Sequence, residues 1–238
     1  MSVEAVAPVV TDRKMTETSA GESTKPTVIP SRLPMVLRSP NGMEAETIRA
    51  LRTRLVAQHV QEGRRSIAIC TPAAGSGCTF VATNLATAIS QIGIKTVLVD
   101  ADLRTPTVLD EFGVDANRPG LADYLRSPDM SIDDILIEDL LPNLSVVPSG
   151  KIGPNPQELL SGPRFPVLID SLLREYDLTI LDTTPANSCT DAQRVANVAT
   201  YSLIVGRKHK SFVNDVRTLA ELLRADRSVV IGTVLSDF

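Results

Sequence analysis

Short apolar runs alternate with segments of helical periodicity along most of this chain. An apolar run at residues 67–70 is followed by apolar positions that recur every three or four residues from Val81 to Ile89. Further apolar runs predict strands at residues 96–99, 144–147, 178–182, 201–205 and 228–235. Helical periodicity predicts helices at residues 43–60, 131–141, 163–176, 191–198 and 213–223, and a short one after Gly120. This alternation predicts an α/β fold, a doubly wound and mainly parallel sheet with helices on both faces.

The first 42 residues have a different character. They contain five prolines among Ser, Thr, Glu and Gly, and no hydrophobic period is sustained there. We therefore expect residues 1–42 to be a disordered tail or linker, and residues 43–238 to form one domain. The tail is interpreted either as a flexible leader or as a docking segment for a partner. Asn41 is the predicted N-cap of the helix that follows.

The turn after the first strand carries the most informative motif, T-P-A-A-G-S-G-C-T at residues 71–79. It matches the phosphate-binding P-loop pattern at Gly77 and Thr79, but Cys78 stands where the pattern has lysine. Glycines allow successive backbone N–H groups to point at phosphate oxygens, and the helix N-terminus adds its positive dipole end. Thr79 is placed to coordinate Mg²⁺. The predicted nucleotide contacts are Ala74, Gly75, Ser76, Gly77, Cys78, Thr79 and Phe80.

The lost lysine has a calculable consequence. A unit charge about 4 Å from a phosphate is worth roughly 4 kcal/mol at an effective dielectric constant near 20. We therefore expect weakened nucleotide binding or turnover unless Arg104, Lys151, Arg207 or an arginine of a neighbouring subunit substitutes. A cysteine at a helix N-terminus can also have a lowered thiol pKa, so Cys78 is a hypothetical redox switch.

Two apolar strands end in carboxylates. Asp100 and Asp102 follow the run at residues 96–99, and Asp182 ends the run that begins at residue 178. Ligands of doubly wound sheets bind beyond the carboxyl ends of the strands, and carboxylates with hydroxyls are ligands that Mg²⁺ accepts. The sequence therefore predicts that Thr79, Asp100 and Asp182 approach one another around a nucleotide.

Composition narrows the functional classes. The chain has 28 acidic and 24 basic residues, 3% aromatic residues and no Trp, which argues against broad nucleic-acid binding. Its three cysteines and two histidines have no metal-ligand spacing. There is no apolar window of 18 or more residues and no signal peptide, so we expect a cytoplasmic protein whose membrane role requires a partner.

Several motifs together resemble one known family, the cytoplasmic ATPase domains of bacterial tyrosine kinases that govern capsule and exopolysaccharide chain length. The resemblance covers roughly residues 40–236. It rests on E-x-x-R-x-x-R (Glu46, Arg49, Arg52), the P-loop turn, V-L-V-D-A-D-L-R-T-P, G-L-A-D-Y-L, P-N-P-Q-E-L-L and L-T-I-L-D-T-T-P.

The resemblance implies functional assignments that the residues alone do not give. It implies ATP and Mg²⁺ as cofactors, Asp100, Asp102 and Arg104 as catalytic residues, and Asp182 as a metal ligand. It also implies self-association through Glu46, Arg49 and Arg52, although helical spacing alone favours a solvated, salt-bridged face for them. The implied partner is a membrane-spanning polysaccharide chain-length regulator.

Two departures from the family keep alternatives open. Cys78 removes the phosphate-binding lysine, and the chain has no Tyr-rich C-terminal segment; Tyr124, Tyr176 and Tyr201 are dispersed and predicted to be packing residues. The first hypothesis is an ATP-binding, tyrosine-kinase-like regulator of exopolysaccharide polymerisation and export. The second is a catalytically inactive scaffold for the membrane partner. A partitioning or cell-division ATPase ranks third, because Ala73 stands where that class has its signature lysine.

Overall fold

The computed structural model describes residues 32–237, in which seven strands form one sheet in the order β3-β4-β2-β5-β1-β6-β7. The strands are β1 (Ser66–Cys70), β2 (Thr96–Asp100), β3 (Ile137–Leu141), β4 (Leu144–Val147), β5 (Leu178–Asp182), β6 (Tyr201–Arg207) and β7 (Val229–Ser236). All neighbouring pairs are parallel except β3 with β4. The predicted doubly wound, mainly parallel sheet is confirmed.

Nine α-helices in the described residues surround this sheet. They are α1 (Met35–Arg38), α2 (Met43–Gln58), α3 (Cys78–Ser90), α4 (Val108–Glu111), α5 (Leu121–Arg126), α6 (Pro156–Ser161), α7 (Arg164–Glu175), α8 (Asp191–Ala199) and α9 (Val213–Ala225). A short 3₁₀ helix, Val60–Glu62, follows α2. Within residues 32–237, every helix is too short or too polar to cross a membrane.

The central strands are buried at every position because helices cover both faces of the sheet. In β1, Ile67 and Ile69 pack with α3 in one apolar layer, whereas Ala68 and Cys70 pack with α7 and α8 in the other. This two-sided burial explains why β1, β2 and β5 appear in the sequence as continuous apolar runs. It also brings their carboxyl ends to one edge of the sheet.

The predicted helix at residues 131–141 is wrong. Ser131 donates both its backbone N–H and its hydroxyl to the Asp134 carboxylate at 2.8 Å, which closes a turn. The chain then enters β3, which runs antiparallel to β4 and connects to it through Asn143 at φ +61°. The apolar spacing fitted a helix, but the local turn and the hairpin determine the structure.

The predicted tail requires a partial correction. Residues 1–31 lie outside the described residues, but within residues 32–42 the chain forms α1. Val36 there is buried, and its backbone N–H donates to the Asn84 side chain at 2.9 Å. Helix α2 begins after Gly42 without a side-chain cap, so the predicted Asn41 cap is not formed.

Candidate nucleotide-binding site

The turn between β1 and α3 has the backbone geometry of a phosphate cradle. Gly75 and Gly77 have φ of +71° and +86°, a left-handed region that glycine adopts without a steric penalty. Gly77 is the N-cap of α3, so the first N–H groups of that helix face the turn. The turn borders a cavity of about 320 Å³, whose lining includes Thr79, Asp102 and all of the predicted contacts at residues 74–80.

Thr79, which lines this cavity, contacts the buried carboxyl group of Asp182. The Thr79 hydroxyl donates to Asp182 Oδ2 at 2.6 Å, although the two residues are 103 positions apart. Asp182 is fully buried, and within the described chain its Oδ1 has no hydrogen-bond partner. Burial is the main reason that the pKa of Asp182 is raised from 3.8 to about 7.

Asp100 lies beside Asp182 because β2 and β5 pair in register at these two positions. Its Oδ1 accepts from the backbone N–H of Asp102 and its Oδ2 from that of Val108, at 3.2 and 3.3 Å. Burial, and then repulsion from the Asp182 carboxylate, raises the pKa of Asp100 well above its usual range. The site therefore holds two adjacent carboxyl groups that resist ionisation, and a bound cation would favour their ionised forms.

Asp102 is held differently from its two acidic neighbours. Its carboxylate accepts hydrogen bonds from the backbone N–H groups of Arg104 and Thr105 and from the hydroxyls of Thr105 and Thr184, at 2.9 to 3.2 Å. The side chain lines the cavity and is 6% exposed. Its oxygens are thus oriented by this chain's own donors.

The Cys78 thiol makes a contact inside the protein instead of the phosphate contact that a P-loop lysine makes. Its thiol is buried and donates to the backbone carbonyl of Ile69 at 3.1 Å. Burial, followed by the nearby Asp182 carboxylate, raises its pKa well above the ordinary thiol value. The hypothesis of a low-pKa redox thiol is therefore wrong, because burial outweighs the helix terminus.

Two other cations do approach the P-loop. Arg207 Nη1 donates to the Gly75 carbonyl at 3.0 Å, and Lys210 Nζ lies 3.5 Å from the same oxygen. Lys151 lies elsewhere: it is exposed, and its backbone contacts the Asp123 carboxylate and the Arg126 guanidinium. Of the cations proposed from the sequence, Arg207 is the one placed against the phosphate cradle.

The Arg104 side chain is paired with a carboxylate that does not line the cavity. Its Nε donates to Asp191 Oδ2 at 2.7 Å, and Nη2 lies 3.3 Å from Oδ1. Asp191 is the first residue of α8. Its side chain is 1% exposed, whereas the Arg104 side chain is 38% exposed. The contact joins the segment after β2 to the segment after β5, on both sides of the acidic strand ends.

This pairing predicts a stability role for Arg104. We expect Arg104→Ala to lower the free energy of unfolding by about 1–3 kcal/mol, because the buried Asp191 carboxylate loses its partner. Urea unfolding at pH 7 measures the change. Asp191→Asn should relieve most of the loss when combined with Arg104→Ala, and additive losses in the double variant would contradict the pairing.

The three residues predicted for self-association lie on α2, away from the cavity. Arg49 contacts the exposed Glu46 at 3.4 Å, as the predicted salt-bridged face requires. Arg52 instead turns inward and donates to the Ala88 carbonyl near the end of α3, at 3.2 Å. Glu46 and Arg49 therefore contribute more than Arg52 to the solvent-exposed face of α2.

The three tyrosines are packing residues, as predicted. Tyr124 and Tyr176 are 5% and 4% exposed, and the guanidinium of Arg164 and the ammonium of Lys95 lie over their rings. Tyr201 is partly buried in the layer that contains α3.

Sequence reasoning missed several residues that line the site. Thr107 donates to the Thr79 hydroxyl at 3.2 Å, and Glu111 lines the same cavity with a pKa raised by burial. A second cavity of about 420 Å³ adjoins this region, lined by Asp100, Thr105 and Thr107 among others. The only signal in the sequence was proximity to the strand end at Asp100.

The residues present fit a bound Mg-nucleotide. The described residues contain no group of three or more His, Cys, Asp or Glu side chains arranged to hold a metal unaided. Mg²⁺ does not need such a group, because it binds through one or two carboxylates with waters and phosphate oxygens. The unpartnered Asp182 Oδ1 and the adjacent Thr79 hydroxyl supply that kind of incomplete ligand set.

Comparison with known proteins identifies the family of this chain. Residues 64–225 match the AAA domain family. The chain is 34% identical over 199 residues to EpsB from Ralstonia nicotianae, and it spans only 26% of the length of that protein.

Solved structures show the same fold. The kinase domain of the Escherichia coli tyrosine kinase ETK superposes with a TM-score of 0.80 at 30% identity, over 86% of this chain and 79% of that one. The septum site-determining protein MinD from Pyrococcus horikoshii, solved with Mg-ADP, gives a TM-score of 0.62 at 26% identity, over 72% of this chain and 69% of that one.

Proposed function

This chain belongs to the AAA domain family and, within it, to the bacterial tyrosine kinases, and we propose that it binds Mg-ATP at the P-loop and couples that binding to the control of exopolysaccharide synthesis. The observation that carries the proposal is the contact between Thr79, in the lining of the cavity, and the buried Asp182 carboxyl group. A buried carboxylate oxygen without a partner is costly, and a metal ion held with a nucleotide would satisfy it.

Different residues of the site would bind the phosphates, hold the metal and accept a proton. The residue 74–77 backbone and the first turn of α3 would hold the phosphates, while Thr79, Asp182 and Asp100 would hold the metal. Asp102, oriented by Thr105 and Thr184, would accept the proton of an incoming hydroxyl. Bound Mg-ATP supplies the transferable phosphoryl group and the cation that neutralises the acidic strand ends.

The proposal also includes the chain's cellular setting. We place the protein at the inner face of the plasma membrane, held there by a membrane-spanning regulator of polysaccharide chain length. Self-association would use the outer face of α2, where Glu46 and Arg49 are available. This setting is supported by the family motifs rather than by any contact within the chain.

The test is equilibrium binding of Mg-ATP by calorimetry, with Thr79→Ala as the variant. We expect the natural chain to bind in the micromolar range and Thr79→Ala to bind at least about 10-fold more weakly, since it loses a ligand hydroxyl. Thr53→Ala is a matched control, because Thr53 is exposed on α2 and its hydroxyl contacts only the Arg49 carbonyl within the described chain. A natural chain that does not bind Mg-ATP would overturn the proposal.

The second candidate is a scaffold that has lost phosphoryl transfer. It is favoured by one observation, the buried thiol of Cys78 in the place of the lysine. Incubation with radiolabelled Mg-ATP and a tyrosine-containing polypeptide distinguishes the two. Label on tyrosine supports a kinase, whereas saturable Mg-ATP binding without transfer supports the scaffold.

A further inference from the structure

A small cationic turn lies directly against the phosphate cradle. Strand β6 pairs in parallel with β1, and Ile204 lies opposite Cys70. The chain leaving β6 therefore emerges beside the chain that leaves β1 to form the P-loop. Strand β6 ends at Arg207, and Lys208, His209 and Lys210 follow it.

Neutral hydrogen bonds fix this turn in place without using its charges. The Ser211 hydroxyl accepts from the Arg207 backbone N–H at 2.9 Å and lies 3.5 Å from the Ser76 hydroxyl. Ser236, at the end of β7, donates to the Ser76 carbonyl at 3.3 Å. The turn is thus attached to the P-loop through serines, and its two long cationic side chains extend over Gly75.

Glycine at position 75 is favoured by its own backbone conformation, and the end of the flexible Lys210 side chain lies against it. A Cβ added there would come within 2.5 Å of Lys210 Nζ, and its φ is +71°. The P-loop backbone and the Lys210 ammonium are therefore in close contact. Both cations lie at the rim of the cradle in this structure, where they contact the backbone carbonyl of Gly75.

The charges on these two residues are not neutralised by any carboxylate in the described part of the chain. Within residues 32–237, neither Arg207 nor Lys210 forms an ion pair with a carboxylate. Other candidates are engaged elsewhere: Lys208 pairs with Asp237 at 2.8 Å, and Arg104 pairs with Asp191. Two unneutralised cations beside a phosphate cradle point to an anionic ligand.

We propose that Arg207 and Lys210 supply the positive charge that the P-loop lost when Cys78 replaced lysine. In the complex Lys210 exchanges the Gly75 carbonyl for a phosphate oxygen of the nucleotide, and Arg207 adds a phosphate contact through its other donors. A guanidinium has five N–H donors, so Arg207 can retain Gly75 and still reach a phosphate. The inference rests on the proposed binding of Mg-ATP and names the residues that make it possible without the lysine.

Calorimetric titration of the natural chain and of matched variants tests the inference. The set is Arg207→Ala, Lys210→Ala, their double variant, and Lys208→Ala as a control with the same charge change but a partner at Asp237. Each protein is titrated with Mg-ATP and with AMP. We expect the double variant to lose at least 10-fold in affinity for Mg-ATP, each single variant to lose less, and Lys208→Ala to stay within about 2-fold.

The comparison of the two nucleotides separates charge from structure. Loss of a merely structural contact with Gly75 would weaken Mg-ATP and AMP by similar factors, and that result would overturn the inference. Loss of phosphate contacts should affect Mg-ATP far more than AMP, and Arg207→Lys should restore part of the affinity. Adding Cys78→Lys to the double variant should restore Mg-ATP binding, which also shows that the double variant is folded.

Failure of the inference and failure of the proposed function give different results. If the natural chain and the double variant bind Mg-ATP equally, the function stands and the inference is wrong. If the natural chain does not bind and Cys78→Lys does, both the proposed nucleotide binding and the replacement by these cations are wrong for the natural protein.

Discussion

Asp182→Asn is expected to stabilise the nucleotide-free protein at pH 8 and to abolish its tight binding of Mg-ATP. The natural carboxylate is fully buried and has one oxygen without a partner in the described chain. Asparagine keeps an acceptor for the Thr79 hydroxyl but carries no charge. The same change thus removes a cost of folding and a proposed ligand of the metal, which is the usual trade-off between stability and function at a binding site.

The direction of the expected change in stability follows from the pKa of Asp182. The pKa of Asp182 is about 7 in the folded protein, against an ordinary value of 3.8. Its contribution to stability is therefore complete below pH 4 and is lost as the pH rises through 7, because the unfolded chain ionises first. We expect Asp182→Asn to match the natural protein near pH 4 and to exceed it at pH 8 by about 2–4 kcal/mol.

Urea unfolding in EDTA at pH 4 and pH 8 measures this difference. Asp215→Asn is the control, because Asp215 is exposed on α9 and its substitution should leave the pH dependence unchanged. A variant that is less stable than the natural protein at pH 8 would show that the buried carboxylate is not a cost. Asp100 contributes in the same direction, since the Asp182 charge helps to raise its pKa.

Binding should change in the opposite sense. A carboxylate must be ionised to ligate a metal, so the affinity of the natural protein for Mg-ATP is expected to rise between pH 6 and pH 8. Asp182→Asn should bind at least about 30-fold more weakly at pH 8 and lose this rise. Equal affinities would show that Asp182 does not hold the metal.

The parts of the fold that could be predicted are those where each local pattern has one interpretation. Strands β1, β2 and β5 are buried on both faces, and their five-residue runs are too short for helices and contain β-branched residues. The acidic residues at two of their ends could be placed together because parallel strands expose their carboxyl ends at one edge. Asp100 and Asp182 are indeed register partners.

What could not be predicted depends on contacts between distant segments. The spacing of Ile132 and Leu136 fits a helix, and only the pairing of β3 with β4 shows why the segment that follows is extended. Arg207 was one of several candidate cations until β6 was found beside β1. The family resemblance implies a catalytic role for Arg104, but no local pattern shows that Asp191, 87 positions away, orients its side chain.

Cys78→Lys should increase the affinity for Mg-ATP by about 10- to 100-fold. Cys78 is the first residue of α3 and lines the cavity, so a longer side chain can extend from it toward the phosphates. The charge would be worth roughly 4 kcal/mol at 4 Å with an effective dielectric constant near 20, and desolvation of the ammonium offsets part of it. The gain should be smaller than the full value because Arg207 and Lys210 already lie beside the cradle.

Cys78→Met separates the charge from the added length, because methionine extends the side chain without an ammonium. We expect Cys78→Met to leave the affinity unchanged or lower, and an equal gain from both variants would exclude the electrostatic explanation. The introduced ammonium should also favour the ionised form of Asp182, whose carboxylate acts on the Cys78 thiol at short range. The rise of affinity between pH 6 and pH 8 should therefore shift to lower pH in Cys78→Lys, an effect that a change in cavity shape alone would not produce.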